Sequence, residues 1–342
     1  MENFDEYLRQ GEPNKAEKAK VWKTAIGLQQ VDGLKPSEYL IETAKQNIEG
    51  DITIDEVKKR IDSYYQQHPV ISFNDRTEEA DKVSARIAEM LSEQTFTFSP
   101  AEYLAIHRRL FTGIYKFAGK IRDYNITKKE WVLNGETVLY ASADSLSATL
   151  EYDFEQERKF SYKGLSEQDI IEHIAHFISN LWQIHTFGEG NTRTTAIFLI
   201  KYLRKLGFKN VNNDLFANHS WYFRNALVRA NYEYLSRRIY KTEKFLIRFL
   251  LNLLLIGNYS LKNREMHILA DTVIDTVNSQ VDTVNDTVFS LIEHDNKVTA
   301  KEISERLKIS LSTVKRKINE LKNNGKIERI GSDKTGHWRI IE

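Results

Sequence analysis

With 342 residues and 41% hydrophobic side chains, the chain is long enough for two or three domains with ordinary cores. Its formal charge of +1 gives no global pull toward nucleic acid or a membrane surface, so any basic face must be local. The absence of cysteine excludes disulfides and thiolate metal sites, and a reducing cytosol is compatible with that.

In chain order, residues 15–30 read as a helix that breaks at Asp32-Gly33, and Pro36-Ser37 opens a second that ends at Gly50-Asp51. Thr53-Ile-Asp-Glu56 supplies a capping box for a third helix running to about Tyr65, so residues 1–70 are expected to form a small helical module. The helical period continues over 77–93, 99–117 and 144–159. Between them, residues 131–140 are two β-prone runs around Asn134-Gly135, which predicts a hairpin. Helices resume from Ser166 to Ile256, and with only four prolines the chain is expected to be mainly α. The opening Met1-Glu-Asn-Phe-Asp-Glu lacks a basic-then-apolar signal, and the apolar run 245–256 is interrupted by Arg248 and Asn252. No export, no membrane span and a cytoplasmic location are expected.

After Gly257 the composition changes to a near-repeat of Asp-Thr-Val, and Ile274, Val277, Val281, Val284, Val288 and Leu291 alternate at three- and four-residue spacing. Residues 257–284 are read as a linker, with a dimerising coiled coil as the alternative, since Asp, Thr, Asn and Val form helices poorly. The last 46 residues carry twelve Lys/Arg against six Asp/Glu. Thr299-Ala-Lys-Glu302 caps a helix to Leu307, Leu311 starts a second that Gly325 ends, and 327–330 and 337–341 read as strands. Helix, turn, helix and two-stranded wing over 285–342 resemble a winged helix-turn-helix domain. Ser312, Thr313, Lys315, Arg316 and Lys317 are its candidate DNA-contacting residues; a winged helix used for protein contacts is the competing reading.

The most informative stretch is His185-Thr-Phe-Gly-Glu-Gly-Asn-Thr-Arg193, a connection between two amphipathic helices. A neutral imidazole at His185 can take a proton from a hydroxyl, and Glu189 can hold a divalent cation through oxygen. The second helix starts just after Gly190-Asn191, so its unpaired N–H groups and positive dipole end face the same place, which suits phosphate. Gly190 allows close backbone approach, Asn191 can donate from its amide, and Arg193 offers a planar fork to phosphate oxygens. Phe187 is expected to anchor the loop in the core. A zinc site from His173, His176 and His185 has no motif spacing behind it, and the first two read better as packing or capping residues.

These residues resemble the Fic-family signature His-x-Phe-x-Asp/Glu-Gly-Asn-Gly-Arg-x-x-Arg, with matches at His185, Phe187, Glu189, Gly190, Asn191 and Arg193. Ala118-Gly-Lys-Ile-Arg122, the hairpin and Ala226-Leu-Val-Arg-Ala-Asn231 sit where Fic proteins place equivalents, so the resemblance covers roughly residues 71–256. It implies a helical bundle with a β-hairpin flap that transfers AMP from ATP, with Mg²⁺, to a Ser, Thr or Tyr hydroxyl of a target protein. On that reading His185 is the base and Glu189 the metal ligand. Gly188, Gly190, Asn191, Thr192, Arg193 and Asn231 hold the nucleotide, and Lys129, Glu130, Trp131, Val132 and Leu133 belong to the flap that docks the target.

The stretch departs from the signature twice: Thr192 replaces the second glycine and Ala196 the second arginine. The related Doc proteins share the missing arginine and act as kinases, so phosphoryl transfer stays an alternative, as do other nucleotide donors and a DNA-binding regulator whose Fic domain only senses nucleotide. The N-terminal helices resemble the antitoxin-like module of some Fic proteins, where a Glu ties up the second Arg. Here the nearest match is residues 28–33, with Asp32 for the Glu and Ala196 without charge. The module is therefore expected to be a scaffold or a different regulator, with no such lock.

Overall fold

The computed structural model describes residues 4–69, 75–208, 211–212, 214–269, 288–289, 291–292, 295–307, 311–323, 326–331 and 336–341. The chain divides into two compact units, Met1–Ile268 and Leu269–Glu342. Eleven described helices make up the first: α1 (Asp5–Gln10), α2 (Pro13–Gly27), α3 (Glu38–Glu49), α4 (Ile54–Gln67), α5 (Thr77–Ser92), α6 (Pro100–Phe111), α7 (Leu146–Lys159), α8 (Glu167–Ile184), α9 (Asn191–Lys205), α10 (Asp214–Ala230) and α11 (Lys244–Leu253). Among the described residues no helix is long and apolar enough to cross a membrane.

Local sequence explains most helix starts. Ser37 and Ser99 accept backbone N–H bonds from Leu40 and Glu102, and Thr53/Glu56 and Ser166/Asp169 are complete capping boxes. Packing then arranges the helices around α9, whose residues Asn191 to Leu203 are all buried. The helices α5, α6 and α8 lie against it. A helix buried on every side is the pattern of a bundle's central member.

The N-terminal helices are part of this unit. Helix α2 packs on both α5 and α10 and ends in a 3₁₀ turn, Leu28–Asp32. At the crossing with α10 a Cβ on Gly27 would lie 2.2 Å from the Ala217 Cα, and the Ser220 hydroxyl donates to the Gly27 carbonyl at 2.9 Å. Backbone meets backbone there, so no side-chain adjustment can make room. Helix α10 carries a non-helical residue, His219, beside this crossing.

The predicted reversal at Asn134-Gly135 is present, with both residues at positive φ. Its approach, however, is a 3₁₀ turn over Trp131–Leu133, and the return closes on single bonds, Glu130 N–H to the Glu136 carbonyl and Gly135 N–H to the Glu130 carbonyl, in place of a strand ladder. Val132 and Leu133 are buried by this turn, which packs against α10. The 3₁₀ turn lets two successive apolar residues face inward, whereas a strand covered on one face would turn one of them outward.

In the second unit, α12 (Ala300–Leu307), α13 (Leu311–Asn323), β1 (Ile327–Ile330) and β2 (His337–Ile340) follow the predicted order. The strands pair antiparallel with Ile327 opposite Ile340 and Ile330 opposite His337. Val288, Ile292, Val298, Ile303, Val314, Ile318, Leu321, Ile327 and Trp338 form the core, and the Trp338 indole donates to the Val298 carbonyl. Val288 and Leu291 of the predicted heptad seam pack here; its members between 274 and 284 lie outside the described residues.

Gly27→Ala is expected to lower the stability of the first unit by about 1–3 kcal/mol through overpacking, although alanine alone would favour the helix. Urea unfolding checks this; an unchanged or higher midpoint would mean that the α2–α10 crossing is loose.

Candidate functional site

The site forms where α8 stops and α9 begins. Helix α8 ends because His185 adopts φ 51°, ψ 55°, and α9 begins from Gly190 at φ 79°. A Cβ on Gly190 would lie 2.4 Å from the Phe111 ring, so both conformation and space require glycine there. Asn191 closes the loop on itself: its side-chain oxygen accepts the Phe187 N–H at 3.0 Å and its amide donates to the Phe187 carbonyl at 2.7 Å. Phe187 is fully buried, as the sequence suggested.

Two distant side chains fix the loop further. Arg122 donates to the carbonyls of His185 (2.7 Å), Tyr124 (2.5 Å), Ala141 (2.5 Å) and Ile184 (3.3 Å), joining the motif to the segment before α7. His107, on α6, accepts the Gly119 N–H at Nδ1 (2.8 Å), so its proton sits on Nε2 and is donated to the Glu189 carbonyl (2.9 Å). Its ring stacks on Phe187 at 3.7 Å, and burial lowers its pKa to about 4, keeping it neutral.

His185 is 3% exposed, and among the described residues neither ring nitrogen has a hydrogen-bond partner. Its ring lies 4.1 Å from that of Tyr140 and 5.4 Å from that of Trp182. Burial, followed by the positive charges of Lys128 and Arg122, pushes its pKa well below the usual histidine value. A buried neutral imidazole with unpartnered nitrogens is an unusual arrangement that a reacting hydroxyl would satisfy.

Glu189 is half-exposed, and its carboxylate meets Lys128 Nζ at 3.1 Å. Thr192 accepts the Trp182 indole N–H at 3.0 Å, so the residue that replaces the signature glycine has its hydroxyl engaged with the α8 core. Gly188 lies under Tyr124, whose hydroxyl would be 2.5 Å from an added Cβ.

Arg193 is fully buried with its fork on protein groups. Nη2 meets Asp32 at 2.8 Å and Glu79 at 2.7 Å, Nη1 donates to Gln29 at 2.9 Å, and the guanidinium lies over the Phe111 ring. Burial works to raise the Glu79 pKa, yet Arg76 and Arg193 outweigh it and hold the carboxyl below its usual range. The 3₁₀ turn Leu28–Asp32 brings Asp32 to Arg193, the first arginine of the signature, one helical turn before the uncharged Ala196. Asn231 is also engaged internally, donating to the Ser179 carbonyl and hydroxyl and the Leu227 carbonyl at 2.9–3.1 Å.

The five flap residues separate. Lys129 is exposed, and Trp131 is half-exposed against Trp221 (5.3 Å) and His267 (5.0 Å). Val132 and Leu133 are in the core, and Glu130 is buried, ion-paired with Arg224 at 2.9 Å and accepting from Tyr140. The segment next to His185 is instead 137–141, where Val138 and Tyr140 turn inward and Leu139 is 84% exposed. His173 pairs with Glu157 and stacks on Phe160, while His176 meets Glu243. Among the described residues no three His, Cys, Asp or Glu side chains gather as a metal group. In the second unit Lys315 is exposed on α13; the side chains of Ser312, Thr313, Arg316 and Lys317 lie outside the described residues.

His107, Lys128 and Glu79 had no sequence signal. His107 reaches Glu189 across 82 positions and Glu79 reaches Arg193 across 114, so only the fold brings them together.

The Fic/DOC family model matches residues 97–203, and a model of an HTH domain matches residues 284–336. Over 103 residues the chain is 27% identical to the protein adenylyltransferase VbhT of Bartonella schoenbuchensis, covering 30% of this chain and 20% of that protein. Over 147 residues it is 29% identical to the probable protein adenylyltransferase y4lH of Sinorhizobium fredii, covering 43% of this chain and 71% of that one. The chain thus spans about a fifth of the length of the first of these relatives. A Fic family protein of Desulfovibrio desulfuricans G20 aligns over 99% of this chain and 93% of its own, at 15% identity and a TM-score of 0.46, a likeness too slight to carry an argument. The chain therefore carries a Fic/DOC domain, mainly helical, and a C-terminal HTH domain.

A buried His107 that is neutral when folded and titrates near 6.5 when unfolded makes unfolding take up a proton between about pH 6.5 and 4. Stability contributed by the neutral ring is therefore complete above the unfolded pKa and falls as pH is lowered. His107→Gln is expected to make the pH dependence of urea-unfolding stability shallower by up to about 1.4 kcal/mol per pH unit below pH 6. The same slope in both proteins would remove His107 from the account.

Proposed function

We propose that the chain is a Fic-type protein adenylyltransferase, which transfers AMP from ATP to a Ser, Thr or Tyr hydroxyl of a target protein or of itself and releases pyrophosphate. The observation that carries this reading is His185, a buried, neutral and unpartnered imidazole at the end of α8 beside the N-terminus of α9. The two relatives with which the chain shares sequence, one named a protein adenylyltransferase and the other a probable one, support the same activity.

His185 takes the proton of the target hydroxyl as its oxygen bonds to the α-phosphorus, and the bond from that phosphorus to the oxygen bridging to the β-phosphate breaks. The first N–H groups of α9 lack partners within the helix and stabilise the charge on the phosphoryl oxygens. Glu189 suits Mg²⁺, which commonly takes one or two carboxylates and completes its shell with water and substrate phosphates. Bound there, the ion would neutralise charge on those phosphates.

Because His185 is nearly inaccessible under Tyr140, a target hydroxyl reaches it when the segment 137–141 shifts. Leu139, already exposed, is the side chain that a docking target segment would meet first. We further infer that the HTH domain contacts DNA through α13, where Lys315 is exposed.

With Mg²⁺ and ATP, label at the α-phosphate is expected to remain on protein and label at the γ-phosphate to leave. His185→Ala should lower transfer by at least a hundredfold, at the weak end of general-base contributions of roughly 10²–10⁴. Retention of γ-label would indicate a kinase, and transfer that survives the substitution would remove His185 from the chemistry.

A further inference from the structure

Four cations near the motif loop, among the described residues, differ in what holds them. Arg122 is spent on four backbone carbonyls, Arg224 on buried Glu130, and Arg193 on Asp32, Glu79 and Gln29. Lys128 is paired with Glu189, the carboxylate that the proposed reaction assigns to a divalent cation. Its backbone N–H donates to the Thr137 hydroxyl, so its Cα is tied to the segment that covers His185, while its four-carbon stem leaves the ammonium mobile.

A carboxylate oxygen that binds Mg²⁺ at about 2.0–2.1 Å cannot also keep an ammonium close without strong repulsion between the two cations. Loading Glu189 therefore displaces Lys128. Phosphate oxygens brought in with that cation would offer the displaced ammonium a new anionic partner. The position that would supply a second arginine in the signature is Ala196, which is buried and uncharged.

We propose that Lys128 is a positioning residue that moves from the Glu189 carboxylate to the phosphates of the donor when a divalent cation occupies Glu189, supplying the grip that Ala196 lacks. This rests on the nucleotidyl-transfer reading of the site, but it concerns binding and is measurable without transfer. In the resting state Lys128 competes with the metal, and in the loaded state it holds the nucleotide.

The test uses the full chain and the variants Lys128→Met and Lys128→Arg, with two readouts. Mn²⁺ binding without nucleotide, followed by electron paramagnetic resonance, should tighten by about three- to tenfold in Lys128→Met because the competing ammonium is gone. Binding of a non-hydrolysable ATP analogue with Mg²⁺, followed by calorimetry, should weaken by about tenfold in Lys128→Met and recover in Lys128→Arg. Both changes together, with rescue by arginine, support the proposal. Unchanged or weaker Mn²⁺ binding, unchanged analogue binding, or failure of arginine to restore it overturns it. If the wild-type chain transfers nothing from ATP while both binding shifts appear, the proposed activity fails and the role of Lys128 stands.

Discussion

The burial of α9 on every side is the constraint on which the site depends. A helix inside the unit must have each polar side chain satisfied by protein. Thr192 accepts from Trp182, Thr194 bonds the Gly190 carbonyl, Thr195 bonds Tyr103, and Lys201 donates to the carbonyls of Glu93 and Thr95. Arg193 brings the largest demand, and two carboxylates, an amide and an aromatic face meet its two terminal nitrogens and its plane. Beside the N-terminal end of the helix, the buried imidazole of His185 has no hydrogen-bond partner among the described residues.

The same constraint explains why the N-terminal helices are not a detachable appendage. Asp32 and Gln29 come from the turn after α2, so Arg193 ties that turn to the central helix, and Gly27 brings α2 against the backbone of α10. Removing Arg193 from this network would leave Glu79 with only Arg76 and Tyr115 in a largely buried position. Breaking one side of such a buried ionic cluster is costly, typically about 3–5 kcal/mol. In this conformation Arg193 serves the protein, and Lys128 is the cation paired with Glu189.

Much of this was legible in the sequence, for physical reasons that differ by residue. Helix starts at Ser37, Thr53, Ser99, Ser166 and Thr299 are local, because a cap and its N–H partner are three residues apart. The break between α8 and α9 was legible because apolar periodicity stops at His185 and resumes after Asn191. The hairpin was misread in part: Trp131, Val132 and Leu133 are β-prone, but packing against α10 selects a 3₁₀ turn, a tertiary override of propensity. Asp32 pairing with Arg193 was not legible, since spacing along the chain says nothing about which turn of a distant helix a carboxylate will face.

The central claim is that a neutral His185 directs a protein hydroxyl to the α-phosphorus of a nucleotide. Intact-protein mass spectrometry after incubation of the chain and a lysate with Mg²⁺ and mixed nucleotides addresses it most directly. The account predicts an added nucleoside monophosphate, on the chain or on a lysate protein, that is absent with His185→Ala. Addition of a phosphate alone, or an adduct that forms equally without His185, would contradict it.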